Sequence, residues 1–450
     1  MGDSRISELK HTILPLENGG EVIILDTGAI INPESEAMIQ ALHSRSTGGL
    51  KSHLKILAQK GSAGFISSYY VGYNHKSIGD CGTTTLFIEG ISMLAAKAIQ
   101  DFALYSGQEA STRYIDFSGQ PLFDPTLSIA GRQLLERQRD LYLRARQPTV
   151  NLLRKLHPRN DEEDEKTYDK AINARAFDIT RCLLPAGETT NVAWHANLRQ
   201  TADRILFLRH HPLLEVRKIG ECLETALKQH HPNSFGHKRY DQTEAYQDVI
   251  AAHYLFHDPS SPSEPVVDFR RVDRDELEKF RKLFDVRPPK TELPKYLSQI
   301  GNLSVRYSLD FGSFRDIQRH RAISQRMPLL TTELGFHQWY TDNLPEEIRD
   351  KLPQHLDLIN REIDRLNISK ESAQYFVPMG YITSNRFTGD IPGTVYMIEL
   401  RDTSLVHPTL QKVAHSIATQ VSDELNIPLH LDSNPSRFNV KRGQQDIVLK

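Results

Sequence analysis

The sequence predicts an α+β protein that is built from two divergent copies of one domain. Three observations lead to this prediction. Amphipathic helical patterns alternate with short β-branched runs, the composition is that of a globular protein, and similar landmarks recur in the two halves. The 450 residues are 39% hydrophobic and 25% charged. A chain of this length has room for about two to four domains, each with its own core.

The predicted elements follow from the spacing of apolar residues. Residues 21–31 and 82–92 are rich in β-branched and apolar residues, which predicts strands or buried segments. Apolar residues three and four positions apart predict amphipathic helices. More residues are predicted to be helical than to be in strands. These predicted helices cover residues 36–45, 91–105, 130–156 and 355–367. Segments rich in Pro, Ser or charge predict linkers at residues 158–166, 257–265 and 287–295.

Two pairs of similar segments indicate an internal repeat. Residues 84–100 and 302–318 both end in Ile-Gln, and a Ser follows six residues after each Gln. Residues 179–212 and 372–408 share a Pro, a Thr-bearing stretch and a Leu-Arg that precedes a His and a Pro. The sequence therefore predicts two copies, residues 1–235 and 236–450. Chance similarity between amphipathic segments is the alternative.

The charge balance excludes several classes of protein. Lys and Arg number 55 against 57 Asp and Glu, so the formal charge is −2. Nucleic-acid-coating and membrane-surface proteins need a large basic excess, so neither a nucleic acid nor a membrane is an expected partner. The N-terminus lacks a secretory signal pattern, and no apolar run reaches the length of a membrane span. A cytoplasmic protein is expected.

Metal-binding and disulfide patterns are weak. The three cysteines, Cys81, Cys182 and Cys222, are too scattered for a disulfide framework or a structural zinc site. The histidines at 230, 231 and 237 suggest a metal cluster, but no carboxylate or thiol stands beside them at ligand spacing. A solvated His-rich loop is the favoured interpretation, and no metal site is predicted.

Two short segments carry candidate functional residues. Arg319, His320 and Arg321 precede Ser324, which would share a helical face with His320 if the helix continues. Paired guanidiniums can clamp a phosphate or the negative edge of a flavin or pyrimidine ring. The alternative is a solvated helix end.

The second segment lies in the first copy. Glu109, Ser111 and Arg113 alternate, so an extended backbone would point all three side chains the same way. Ser and Arg on one side of a loop can cradle an anion, and Glu109 can orient the arginine or meet a ring N–H. The alternative is a polar turn.

Together the segments resemble the flavin-dependent thymidylate synthases, the thymidylate synthase-complementing protein family, whose motif is R-H-R-x-x-S-x-N-E-x-S-x-R. Copy one resembles this family at His75 and Ser77 and at several later motif positions, which include the substrate loop of Ser111 and Arg113. The later matches are Ser106, Glu109, Ser111, Arg113, Arg181, Asn197 and Arg209. It departs where Arg-His-Arg should stand, because these positions are Asp101, Phe102 and Ala103.

Copy two shows the opposite losses. It resembles the family at Arg319, His320, Arg321, Ser324 and Arg401. Its departures are Met327, Leu329 and Thr331 in the Glu, Ser and final Arg places, and Gln374 in the place of Arg181. One complete motif is therefore divided between the copies, which random decay would not be expected to produce.

The resemblance implies a fold and an assembly. Each copy would have a mostly antiparallel sheet flanked by helices, and the two copies would be related by a pseudo-twofold axis. The family's homotetramer builds its sites between subunits, so a fused chain would form a homodimer, a pseudo-tetramer of domains. One composite site would lie between two copies.

The resemblance also implies an activity. The protein would be an FAD-dependent thymidylate synthase-like methyltransferase of nucleotide biosynthesis, which converts dUMP to dTMP with methylene-tetrahydrofolate and NADPH as co-substrates. A related flavin enzyme acting on another pyrimidine nucleotide is one alternative. A non-catalytic nucleotide-binding homologue is the other.

Each copy would contribute residues to the composite site. The implied substrate residues are Glu109, Ser111, Arg113, Arg181 and Arg401, and Ser111 and Arg113 would act in catalysis. The implied cofactor residues are His75, Ser77, Asn197, Arg319, His320 and Arg321. The sharpest geometric expectation is that Ser111 and Arg113 converge with Arg319 and Arg401.

Overall fold

The computed structural model describes residues 11–17, 19–25, 32–43, 49–72, 76–113, 115–159, 161 and 164–432. The chain forms two compact units. Unit 1 comprises residues 1–110 and 189–254, and unit 2 comprises residues 111–188 and 255–450. The segment 111–188 therefore belongs to unit 2, although it lies in the first half of the chain.

Unit 1 contains five strands and seven helices among its described residues. Its strands are β1 His11–Pro15, β2 Glu21–Leu25, β3 Thr83–Ser92, β4 Ser106–Glu109 and β5 Thr189–Asn197. Its helices are α1 Pro33–His43, α2 Gly49–Lys60, α3 Ala63–Phe65, α4 Met93–Gln100, α7 Leu198–Leu208, α8 Leu214–His230 and α9 Asp241–Ala252. A π-helical segment, Ile66–Gly72, and a 3₁₀ turn, Lys76–Ile78, complete the unit.

Unit 2 has four strands and a larger set of helices among its described residues. Its strands are β6 Val266–Val272, β7 Gly301–Asp310, β8 Ile323–Gln325 and β9 Ile382–Asp390. Its longer helices are α5 Ile129–Leu156, α6 Glu165–Thr180, α12 Phe311–Ile317, α15 Leu352–Leu366, α17 Ile391–Arg401 and α18 Pro408–Leu425. Its shorter helices are α10 Arg274–Lys279, α11 Arg281–Asp285, α13 Gln338–Asn343, α14 Glu346–Arg349 and α16 Lys370–Ala373. Its 3₁₀ turns are Arg181–Leu183, Lys295–Ile300 and Gln374–Phe376.

Each unit has one antiparallel sheet, and the two sheets share a strand order. The sheet of unit 1 has the order β1-β2-β3-β5-β4, and that of unit 2 has the order β6-β7-β9-β8. The run β2-β3-β5-β4 therefore corresponds to β6-β7-β9-β8. Every pairing within both sheets is antiparallel. This agreement is what two copies of one domain predict.

The junctions between strands and helices correspond as well. Ser92 ends β3 and caps α4, where its side chain accepts a hydrogen bond from the N–H of Ala95. Asp310 ends β7 and caps α12 by accepting from the N–H of Ser313. A side chain that accepts from the first turn of a helix stops the strand and starts the helix without a loop. Asn197 and Asp390 cap α7 and α17 in the same way.

Apolar side chains on these helices form the cores. In unit 1 the whole of α4 is buried, and it packs against β5 and α8. In unit 2 α18 packs against α17, β6 and β7, and buries Leu410, Ile417 and Val421. The sheets thus position the ends of α4 and α12 beside well-packed helices. None of the described helices is both long and apolar enough to span a membrane.

The predicted fold class, an α+β protein with antiparallel sheets flanked by helices, is confirmed. The predicted strands contain β2 and β3, and the predicted helix 130–156 matches α5. The prediction of one helix over 91–105 is wrong at both ends, because the cap at Ser92 delays the start of α4 and the backbone leaves the helical region at Asp101. The division into copies at residue 235 stays a prediction.

The buried carboxyl group of Glu188 makes the stability of unit 2 depend on pH. Glu188 is fully buried, and neither carboxyl oxygen has a hydrogen-bond partner among the described residues. Burial raises the pKa of Glu188 from 4.5 to about 9, although Arg139 opposes the shift. The folded state therefore keeps a proton that the unfolded chain loses between these pH values, and stability falls as pH rises through this window.

Replacing Glu188 with Gln should remove this dependence. Between pH 5 and pH 9 we expect the free energy of unfolding of the wild type to fall relative to that of Glu188→Gln, by up to about 1.4 kcal/mol per pH unit. Urea unfolding at several pH values measures the difference. The exposed Glu264 supplies the control, since Glu264→Gln should follow the wild type. Parallel curves for the wild type and Glu188→Gln would contradict the assignment.

Candidate functional site

Arg113 lies in a turn at the start of unit 2, and its guanidinium is buried. The Oγ of Ser111 accepts a hydrogen bond of 3.3 Å from the N–H of Arg113. Nε and Nη2 of Arg113 donate to the two carboxylate oxygens of Asp178 at 2.7 and 3.2 Å, and Nη2 also donates to the carbonyl of Leu405. Burial lowers the pKa of Arg113, but Asp178 and Asp316 together raise it more, so the net shift is upward. The arginine is permanently charged and rigidly held.

The expectation that Glu109, Ser111 and Arg113 share one side of an extended segment is wrong. Strand β4 ends at Glu109, and Arg113 belongs to a turn that the side chain of Ser111 closes. A hydroxyl that bonds to the backbone two residues later favours a turn over a strand.

Arg181 is the second buried arginine of unit 2. It lies in the 3₁₀ turn after α6 and is only 1% exposed. Its Nη2 donates to the Oγ of Ser313 at 2.9 Å, and its Nη1 lies 3.7 Å from Oδ2 of Asp316. A Cβ at Gly312 would lie 3.3 Å from Nε of Arg181, so the absence of a side chain there allows this close approach. Arg181 therefore packs directly over α12.

The Arg319-His320-Arg321 triplet follows α12 in a turn. The helix ends at Ile317, and Ser324 lies in β8, so the prediction that His320 and Ser324 share a helical face is wrong. The segment that contains Ser324 pairs with β9 as a strand, so the helix does not continue to this residue. Arg319 and Arg321 are exposed, whereas His320 is 4% exposed.

The imidazole of His320 is neutral and has no polar partner among the described residues. Neither ring nitrogen makes a hydrogen bond, and the ring packs edge-on to Tyr396 with centroids 5.8 Å apart. Burial and the nearby charge of Arg401 lower the pKa of His320 to about 3. The ring can therefore donate through one nitrogen and accept through the other at neutral pH.

Asp316 lies within electrostatic reach of four arginines, which we call the arginine cluster. Arg401 ends α17, and its Nη2 donates to the backbone carbonyl of Asp316 at 2.8 Å. Burial raises the pKa of the Asp316 carboxyl, but its four guanidinium neighbours lower it more, so the group is ionised. These neighbours, which define the arginine cluster, are Arg113, Arg181, Arg319 and Arg401. Unit 2 thus brings together charged motif residues from both predicted copies.

A buried polar network supports the cluster from behind. Oδ1 of Asp310 accepts from Thr409 at 2.6 Å, and Oδ2 accepts from Tyr340 at 2.7 Å. Ser313 lies within hydrogen-bond distance of His407 and Thr409, at 3.1 and 2.8 Å, and it also accepts from Arg181. The network consists of Asp310, Ser313, Tyr340, His407 and Thr409, and all five side chains are buried. Arg181 is therefore connected to the cap of α12 by side chains alone.

The remaining predicted residues that the structure describes lie in unit 1. The side chain of Glu109 is buried, with its carboxylate 2.5 Å from Nζ of Lys97 and 2.9 Å from Nε2 of Gln100. Asn197 caps α7 through a 2.8 Å hydrogen bond from Gln200, and Ser77 is exposed in a 3₁₀ turn. His75 lies outside the described residues. The cofactor and substrate roles of all these residues stay predictions.

Arg209 occupies the place in unit 1 that Arg401 occupies in unit 2. Each arginine comes at the end of the helix that follows the central strand, α7 or α17. Arg209, however, donates to both carboxylate oxygens of Glu244 at 3.0 and 2.9 Å and lies 3.4 Å from Glu224. Two acidic side chains therefore pair with this arginine, which agrees with decay of an anion site in copy one.

The acidic and hydroxyl partners of these arginines are not part of the sequence motif, so the motif does not identify them. Asp178 stands three residues before Arg181 within a segment of buried residues, and an acid in such a segment indicates a buried ion pair. Asp316 stands between Arg315 and Arg319 without any such signal. No group of three or more potential metal ligands lies together in the described parts of the chain.

Comparison with known proteins agrees with this geometry. Residues 30–233 match the thymidylate synthase complementing protein family, which indicates a thymidylate synthase-related function. A UPF0159 protein of Chlamydia muridarum is 27% identical over 80% of this chain and 78% of its own length. UPF0159 proteins of Chlamydia pneumoniae and Thermoplasma acidophilum are 25% and 24% identical, over 80% and 93% of this chain and 78% and 100% of their own lengths. The family resemblance seen in the sequence is thus confirmed, and these relatives extend over both predicted copies.

Proposed function

We propose that the chain is an FAD-dependent enzyme that methylates dUMP to dTMP, and the premise is that residues 30–233 match the thymidylate synthase complementing protein family. Methylene-tetrahydrofolate and NADPH are its co-substrates. The observation that carries the proposal is the arginine cluster, since it unites Arg113 and Arg181 of copy one with Arg319 and Arg401 of copy two.

The charge of the cluster suits a nucleoside monophosphate. Its four guanidiniums face two carboxylates, Asp178 and Asp316, so an excess of two positive charges remains. A phosphate monoester is close to a dianion at neutral pH. Nε and Nη2 of Arg113 are engaged by Asp178 and Leu405, so this arginine fixes the turn of Ser111 and contributes its charge. Arg401 has a buried Nε without a hydrogen-bond partner among the described residues, and it provides a direct contact.

The Arg319 to Arg321 turn suits the anionic and ring-bearing parts of FAD. Two exposed guanidiniums flank a buried neutral imidazole whose nitrogens lack partners among the described residues. Guanidinium forks bind phosphate oxygens bidentately, and the imidazole offers both a donor and an acceptor. FAD supplies the reducing equivalents of the proposed reaction. Ser77 and Asn197 would complete the pocket in the homodimer that we propose.

The residues of this chain act by orientation and electrostatics. Guanidiniums near the uracil carbonyls stabilise negative charge that develops as C5 becomes nucleophilic, and each well-placed donor contributes about 3–4 kcal/mol in comparable sites. Because the buried polar network fixes Arg181, this donor needs no reorganisation when charge develops. Ser111 and Arg113 act at the substrate loop.

The visible absorbance spectrum of the purified protein and its calorimetric titration with dUMP test the proposal. We expect bound flavin, dUMP binding, and dTMP formation when both co-substrates are added. Arg401→Ala should weaken dUMP binding about thirtyfold or more, the equivalent of about 2 kcal/mol, while flavin is retained. Arg319→Ala should instead release flavin.

Arg270→Ala is the matched control, because Arg270 is an exposed arginine of unit 2 that pairs only with Asp268 among the contacts described. It should change neither ligand. A protein that neither takes up FAD nor binds dUMP would refute the proposed function. A colourless protein that binds dUMP would favour the non-catalytic homologue.

A further inference from the structure

Oδ2 of the Asp316 carboxylate is a buried acceptor that has no hydrogen-bond partner among the described residues. The side chain as a whole is 15% exposed. The nearest guanidinium nitrogen, Nη1 of Arg181, is 3.7 Å away, which is too long for a hydrogen bond. Buried acceptors in folded proteins are almost always paired, so this one calls for an explanation.

Guanidinium donors adjoin this acceptor within the same small region. Arg401 donates to the backbone carbonyl of Asp316, yet its Nε has no partner among the described residues. Nε of Arg181 is likewise buried without a partner there. Arg319 is exposed and lies within electrostatic reach of the same carboxylate. The region therefore presents donors around one central acceptor.

We infer that Asp316 is a specificity-determining residue that accepts a hydrogen bond from the N3–H of a uracil ring, while neighbouring arginines donate to the ring carbonyls. The inference rests on the proposed function and deepens it. A uracil edge presents acceptor, donor and acceptor at O4, N3–H and O2. This pattern complements an arginine, a carboxylate and an arginine.

The charge and protonation state of Asp316 favour the base, rather than the phosphate, as the part of the nucleotide that Asp316 contacts. An ionised carboxylate repels a phosphate dianion, but it attracts an N–H. The four guanidiniums keep Asp316 ionised, so it can accept but cannot donate. Asp316 therefore belongs with a donor of the ligand, and the imide N–H is the donor that lies between two carbonyls.

The same pattern rejects cytosine. Cytosine places an unprotonated N3 where uracil has N3–H, so two acceptors would face each other at Asp316. Its 4-amino group would also face a guanidinium donor. A site built to bond a donor discriminates strongly against a ligand that lacks it, because its polar groups then stay unpaired.

Calorimetric titration of wild type and Asp316→Asn with dUMP, dCMP and N3-methyl-dUMP tests the inference. The wild type should prefer dUMP to each of the other two nucleotides by at least about tenfold. In Asp316→Asn the amide can donate to N3 of cytosine, so the preference for dUMP over dCMP should fall by about tenfold or more. Asp316→Ala should lose the distinction between dUMP and N3-methyl-dUMP.

Asp268→Asn supplies the control, because Asp268 is an acid of unit 2 that pairs with the exposed Arg270. It should keep the preferences of the wild type. If dUMP binds the wild type and the nucleotide preferences are unchanged in both Asp316 variants, the role of Asp316 is overturned while the proposed function stands. If the wild type binds no pyrimidine nucleotide, both are overturned.

Discussion

Arg113→Ala is expected to lower the free energy of unfolding by about 3–5 kcal/mol, because it leaves the carboxylate of Asp178 buried without its partner. The side chain of Asp178 is completely buried, and that of Arg113 is 11% exposed. Two charge-assisted hydrogen bonds join them, and a third bond ties Arg113 to the carbonyl of Leu405. Urea unfolding followed by circular dichroism measures the loss.

A double variant separates the charge effect from the loss of packing. Arg113→Met combined with Asp178→Asn removes both charges, so it should recover most of the stability that Arg113→Ala loses. The exposed pair of Arg154 and Asp169 supplies the control, since its side chains are 49% and 42% exposed. Arg154→Ala should cost less than about 1 kcal/mol. Equal losses at Arg113 and Arg154 would contradict the buried-pair argument.

A loss of nucleotide binding in Arg113→Ala would combine a lost ligand contact with a loss of local structure. The motif alone assigns Arg113 to the ligand, whereas the structure shows that Asp178 and Leu405 already occupy the donors on its Nε and Nη2. Part of any loss of affinity would then reflect the turn that carries Ser111. Arg401 gives the cleaner test, because its side chain donates only to the backbone carbonyl of Asp316 among the contacts described.

The sequence predicts those parts of the fold and the site that are local or belong to a motif. Helix α5 is visible because its apolar spacing persists over 28 residues. Arg113, Arg181, Arg319 and Arg401 are named by a motif that is divided between the copies, and they share the neighbourhood of Asp316. The topological match of the sheets agrees with the repeat that the Ile-Gln and Leu-Arg landmarks indicate.

The sequence could not predict partners that come from distant elements. Asp178 and Arg113 are 65 residues apart, and Ser313 and Arg181 are 132 residues apart. Periodicity within one segment contains no information about such pairs. The compact units also cross the order of the chain, since residues 111–188 belong with residues 255–450. A single boundary in the sequence cannot describe two units that each contain two separate segments of the chain.

The buried polar network has a direction that follows from its chemistry. Asp310 can only accept, so Thr409 donates to it. The carbonyl of Asp178 also accepts, which assigns the proton of His407 to Nε2. Nδ1 of His407 is then an acceptor, and Ser313 can donate to it while accepting from Arg181. Burial lowers the pKa of His407 far below its ordinary value, so this neutral state persists over the physiological range.

Asp310→Ala is therefore expected to destabilise unit 2 by about 3–5 kcal/mol and to weaken dUMP binding as well. Asp310 caps α12 and accepts from Ser313, Tyr340 and Thr409, so its removal leaves three buried donors unpaired. Tyr340→Phe removes only the hydroxyl that donates to Asp310, so it leaves no buried donor unpaired. It should therefore cost only about 1 kcal/mol. Urea unfolding of the two variants measures both losses.

The coupling to dUMP follows from the position of α12. This helix carries Ser313 and Asp316, and the Arg319 turn begins just after it ends. Fraying of its first turn should misplace Arg181, so dUMP affinity should fall further in Asp310→Ala than in Tyr340→Phe at a temperature where both variants remain folded. Asp310→Asn keeps one acceptor oxygen and should give intermediate values of stability and affinity. Loss of stability with unchanged dUMP affinity in Asp310→Ala would show that the cap supports the fold without positioning the arginine cluster.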